Sequence, residues 1–68
     1  MSLDRQIELK EKELSELMTN IKFNQENLNN APEHLRPEMQ SLIDEGYANK
    51  ILAEKELNEL RKRKREEN

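Results

Sequence analysis

The chain has 68 residues and a net charge of −3; 32% of its residues are hydrophobic, 40% are charged, and it has one Phe, one Tyr and no Trp. It lacks cysteine and contains one histidine, which excludes disulfides and metal clusters built from Cys or His, so we expect no cofactor. A chain of this length forms a single domain. The hydrophobic core of so small a domain rarely contributes more than about 3–5 kcal/mol to stability, so we infer that oligomerisation or a partner protein stabilises it further.

The first predicted helix covers residues 3–29. Ser2 is its expected N-cap, because a serine hydroxyl there can accept a hydrogen bond from the first helical turn. Apolar residues follow the heptad spacing of a coiled coil, which places them on one stripe of the helix. The residues of this stripe are Ile7, Leu14, Leu17, Ile21 and Leu28.

A connector is predicted over residues 30–36, where two prolines interrupt the helical pattern. Asn29 and Asn30 tolerate the left-handed conformation that commonly closes a helix. Arg36 precedes Pro37, so it is expected outside the α region, and Pro37 suits the first turn of a second helix.

The second predicted helix covers residues 37–65. Its apolar stripe contains Met39, Ile43, Gly46, Ala53, Leu57 and Leu60. A short connector makes consecutive helices antiparallel neighbours, and the small residues of this stripe then face large residues of the first helix, as Gly46 does for Ile21. The sequence therefore predicts an all-α fold, an antiparallel two-helix coiled-coil hairpin that occupies residues 1–68 as one domain.

A second set of apolar residues lies away from these stripes. It consists of Phe23, Tyr47, Ala48, Ile51 and Leu52. Two helices cannot cover this set themselves, and an exposed apolar patch usually marks an interface. Because twofold dimers are the commonest oligomers, we expect a homodimer that forms a four-helix bundle. Contact with a different protein is the alternative.

Five consecutive cations end the second helix: Arg61, Lys62, Arg63, Lys64 and Arg65. Short basic runs can contact nucleic-acid phosphates, but cations also stabilise the C-terminus of a helix. The chain's net charge of −3 includes these five positive charges, so the remaining residues carry −8 and repel nucleic acid. Nucleic-acid binding through residues 61–65 is therefore the less favoured interpretation.

No arrangement of residues in the sequence indicates catalysis. His34 lies in the connector without a neighbouring group to orient it as a base, and no glycine-rich phosphate loop is present. The sequence thus favours a non-enzymatic protein–protein interaction module, a small self-associating regulator or adaptor of another protein, such as a transcription factor. A nucleic-acid-binding protein and a structural assembly subunit are the alternatives.

The apolar runs are two or three residues long, far below the roughly 20 residues that cross a bilayer. No signal-peptide pattern opens the sequence, and lack of cysteine is typical of a reducing compartment. We therefore expect a cytoplasmic location, no membrane association and no small-molecule substrate.

Overall fold

The computed structural model describes residues 1–67, which form two α-helices packed against each other. Helix α1 covers Leu3–Asn29 and helix α2 covers Arg36–Glu67, with a short 3₁₀ turn, Glu33–Leu35, between them. Ion pairs join Asp4 to Lys64 and Lys10 to Glu56, so residue numbers rise along one helix as they fall along the other. The predicted all-α helical hairpin is confirmed.

Helix α1 begins as the sequence predicts. Ser2 has extended backbone angles, φ −67° and ψ 158°, and its Oγ accepts a hydrogen bond from the Arg5 amide at 3.1 Å. Asp4 places a negative charge in the first turn, where the helix dipole favours it. Ser2 therefore accepts a hydrogen bond from one of the first-turn amides that have no carbonyl partner within the helix.

Helix α1 ends without the left-handed residue expected from its asparagines. Asn30 has φ −108° and ψ 3°, and no residue within the described range 1–67 has a positive φ. The Asn30 amide instead donates to the Asn27 carbonyl at 3.1 Å, and the Ala31 amide donates to the Leu28 carbonyl at 3.2 Å. These 3₁₀-type bonds tighten the last turn and satisfy its carbonyls, so no left-handed cap is required.

The expectation that Arg36 leaves the α region is wrong. Arg36 is helical, with φ −60° and ψ −41°, and its amide donates to the Glu33 carbonyl. The 3₁₀ turn thus leads directly into α2, and its hydrogen bond offsets the crowding that Pro37 imposes on the preceding residue. Pro37 lies in the first turn of α2, where its missing N–H costs nothing. As a result, α2 begins one residue before the expected range and ends at Glu67.

The core between the helices is thin. Ile21, Ile43, Ala53 and Leu57 are 3–5% exposed, and they are the only buried hydrophobic residues among those described. The other residues of the two predicted stripes are partly buried at the same helix contact: Ile7, Leu14, Leu17, Leu28, Met39, Gly46 and Leu60. Each helix therefore buries a single stripe and leaves most of its circumference exposed.

The hairpin is long and narrow, with dimensions of 53 × 15 × 14 Å. Its radius of gyration is 15.7 Å, whereas a compact domain of this length has about 11 Å. Its accessible surface is 5358 Å², compared with roughly 4,500 Å² for a compact monomer of 8.2 kDa. A single hairpin thus exposes on the order of 800 Å² more than a compact protein of its mass.

Candidate interaction surfaces

One broad side of the hairpin, which we name the tyrosine face, is formed by two stripes of residues with heptad spacing. Its residues are Glu11, Ser15, Met18, Lys22 and Gln25 from α1, and Tyr47, Ile51, Glu54, Asn58 and Arg61 from α2. Two contacts between the helices cross this face: Gln25 Nε2 donates to Tyr47 Oη at 2.7 Å, and Arg61 Nη2 lies 3.8 Å from Glu11 Oε2. These contacts join both ends of the two stripes and so place them on the same side.

The opposite broad side, which we name the leucine face, carries Leu9, Leu42 and Leu52. Lys10 crosses it, because its Nζ lies 2.5 Å from Glu56 Oε2 and 2.8 Å from Glu13 Oε2. All three leucines are substantially exposed in the single chain. Lys10, Glu13 and Glu56 on this face are thus already paired within the chain.

The structure does not bring together in one patch the five residues expected to form an apolar band. Tyr47 and Ile51 lie on the tyrosine face, whereas Leu52 lies on the leucine face, because successive helical residues diverge by about 100°. Phe23 and Ala48 lie on the outer backs of their helices, each about 200° from the seam residue two positions before it. Phe23 is 61% exposed.

Tyr47 is held in place by two neighbours. Its hydroxyl accepts the hydrogen bond from Gln25, and Lys50 Nζ lies 5.9 Å from the centroid of its ring. Lys50 is also 3.5 Å from Glu54, its partner one turn along α2. A ring fixed in this way loses little side-chain freedom on binding, which favours a role as an interface anchor.

Sequence reasoning missed most of the tyrosine face, including Met18 and Gln25. Neither Met18, which is 51% exposed, nor Gln25 was expected at an interface. Met18 and Gln25 are separated by seven residues and therefore share a stripe, which was visible in the sequence. The rotation of one helix against the other, which brings that stripe beside Tyr47, was not visible in the sequence.

Lys10 lies at the margin of the seam with its side chain 21% exposed. The hydrogen bond to Glu13, followed by that to Glu56, raises the pKa of the Lys10 ammonium above its ordinary 10.5, although partial burial opposes this. Lys10 therefore stays charged while its aliphatic stem covers apolar surface.

Three of the five C-terminal cations have acidic partners within the chain. Lys64 pairs with Asp4, Arg61 lies 3.8 Å from Glu11, and Arg63 Nε lies 3.8 Å from Glu59 Oε1. Two of these pairs attach the end of α2 to the acidic start of α1. The basic segment thus holds the two helices together at the open end of the hairpin and presents less free positive charge than its sequence indicates.

Residues 1–67 contain neither a metal-binding cluster nor a membrane-spanning helix. No three acidic or histidine side chains in this part of the chain converge as a metal ion would require. Neither α1 nor α2, within the described residues, is long and apolar enough to span a membrane. Comparisons with protein-family models, curated proteins and solved structures gave no match.

Proposed function

We propose that this chain is a non-enzymatic protein–protein interaction module, a helical hairpin that self-associates into a four-helix bundle and acts as a regulator or adaptor of another protein. The observation that carries the proposal is the mismatch between a core of four buried residues and the large apolar side chains left exposed on both broad faces. Tyr47 is 40% exposed and Ile51 is 56% exposed, although both lie at the middle of the hairpin.

Burial of the exposed apolar side chains would favour association. Burying an Ile, Leu or Met side chain contributes about 1.5–3 kcal/mol, so covering a few of these residues adds as much as the seam itself. A second copy is the simplest partner, because a twofold dimer covers the same surface on both chains at once. The surface excess of the single hairpin is close to the roughly 800 Å² that each partner buries in a standard interface.

The charge distribution supports the regulatory part of the proposal. Outside residues 61–65 the chain carries −8, and its acidic side chains lie on exposed helix surfaces. Such a surface is complementary to a basic protein surface, for example that of a DNA-binding domain, and complementary charge raises the rate and specificity of association. A bundle of this kind would occupy the basic surface in competition with DNA.

Molar mass in solution tests self-association. Sedimentation equilibrium of the wild type over a range of concentrations is expected to give the dimer mass. The double variant Ile51→Asp, Leu52→Asp, which places a carboxylate on each broad face, is expected to be monomeric. Circular dichroism of both proteins controls for loss of helix. A wild type that remains a helical monomer at about millimolar concentration would overturn the proposal.

A further inference from the structure

The tyrosine face has its most exposed apolar residues at mid-length and opposite charges on either side of them. A groove of about 530 Å³ between the helices is lined by Leu14 and Met18 of α1 and by Leu57 of α2, with Glu11 towards one end and Lys22 towards the other. These two charged residues are eleven positions apart, or about 16 Å along the helix. Their midpoint falls between residues 16 and 17.

Ile51 of α2 lies at the same level. Gly46 packs against Ile21, and because antiparallel helices rise equally in opposite directions, residue 51 lies opposite residue 16. The exposed Ile51 is therefore level with the midpoint between Glu11 and Lys22. A twofold axis that lies in the plane of the face at this level, perpendicular to the helices, would pair this face with the same face of another copy. The two faces would then match over their whole length.

Resting on the proposed function, we infer that the tyrosine face is the dimer interface and that its occupant is a second copy of this chain in antiparallel orientation. In this arrangement Glu11 of each copy lies beside Lys22 of the other, and Ile51 lies against Ile51 of the other copy. Tyr47, already fixed by Gln25 and Lys50, anchors each side.

The area of the face and its charges support a second copy as the occupant. A face of 53 × 15 Å covers about 800 Å², the amount each partner buries in a stable complex of standard size. Among residues 1–67, Lys22 has no ion-pair partner, and Glu11 has only the long contact to Arg61. On the leucine face, by contrast, Lys10, Glu13 and Glu56 already satisfy one another.

Ile51 and Leu52 give a matched pair of variants for the test. They are adjacent and are both 56% exposed in the single chain, but they lie on opposite faces. Ile51→Asp is expected to raise the dimer dissociation constant at least about tenfold, because both copies place a carboxylate at the interface. Leu52→Asp is expected to leave it within about twofold of the wild type.

Charge reversal tests the antiparallel pairing itself. Glu11→Lys and Lys22→Glu are each expected to weaken the homodimer about three- to tenfold. In each variant homodimer, residues 11 and 22 of opposite copies carry the same charge, and the twofold axis repeats this repulsion at a second position. An equimolar mixture of the two variants is expected to form a heterodimer at least as tight as the wild type, because both ion pairs are restored in it. Only contacts between chains can produce this rescue.

The possible results separate the inference from the function on which it rests. A wild-type dimer that Leu52→Asp dissociates and Ile51→Asp does not would assign the interface to the leucine face and overturn the inference alone. A dimer insensitive to both substitutions, or a mixture of charge variants that shows no rescue, would also overturn it. A monomeric wild type would overturn both the inference and the proposed self-association.

Discussion

Gly46 of α2 packs directly against Ile21 of α1. A Cβ atom on residue 46 would lie 2.9 Å from Ile21 Cγ1 and 3.6 Å from its Cδ1. Carbon atoms in favourable contact lie about 3.5–4.0 Å apart, so the space for a methyl group is already filled by Ile21. The only glycine of the chain is therefore explained by packing between helices and not by a turn.

Gly46→Ala is expected to destabilise the hairpin by about 1 kcal/mol. Alanine gains up to about 1 kcal/mol in helix propensity, but overpacking a core costs about 1–3 kcal/mol. Ile21 is 5% exposed and β-branched, so it cannot easily turn away from the new methyl group. Urea unfolding at one fixed protein concentration measures the difference. In an Ile21→Ala background the same substitution is expected to stabilise, and stabilisation in the wild-type background would contradict the packing argument.

The Gly46–Ile21 contact also shows what the sequence could predict. Heptad spacing placed large residues of one helix opposite small residues of the other, and this follows from helical periodicity and a short connector alone. The errors at Asn30 and Arg36 have a local cause: hydrogen bonds of 3₁₀ type closed α1 and led into α2, and residue preferences do not reveal them.

The candidate interface was only partly predictable for a geometric reason. A helical wheel shows that Tyr47, Ile51 and Leu52 point away from the seam, but it treats each helix separately. Which of them share a face depends on how α1 is rotated against α2, and the Gln25–Tyr47 hydrogen bond reveals that rotation. The expected band therefore divides between two faces and the backs of the helices.

Ser2→Ala is expected to lower the free energy of unfolding by about 1 kcal/mol, because the Arg5 amide loses its acceptor. Ser2→Asp is the matched control and is expected to keep most of the stability, since a carboxylate can accept the same hydrogen bond. Thermal unfolding followed by circular dichroism, at equal protein concentrations, distinguishes the two. Equal loss in both variants would show that the Ser2 hydroxyl does not cap α1.

Lys10 should contribute to stability in a defined pH range. Its pKa is raised in the folded state, so its contribution is fully present below the ordinary value of 10.5 and is lost as the pH rises through the folded value. The difference in unfolding free energy between wild type and Lys10→Gln is expected to be under about 1 kcal/mol at pH 7 and to shrink as the pH rises above 10.5. Urea midpoints measured at several pH values provide the test.

The two carboxylates that hold Lys10 can be separated by NMR titration of its side chain. Glu13 makes the largest contribution to the raised pKa, so Glu13→Gln is expected to lower the Lys10 pKa more than Glu56→Gln does. The reverse order would show that the contact between the helices dominates over the contact within α1.

The basic segment, residues 61–65, is expected to give no specific nucleic-acid binding at physiological salt. Helical geometry turns successive side chains by about 100°, so the five cations do not form one stripe, and Arg61, Arg63 and Lys64 already pair with carboxylates. Fluorescence anisotropy with single- and double-stranded oligonucleotides is expected to show no binding, both for the wild type and for Lys62→Gln, Arg65→Gln. Binding that weakens steeply with salt and is lost in the variant would instead assign phosphate contacts to this segment, because neutralised phosphates release counterions.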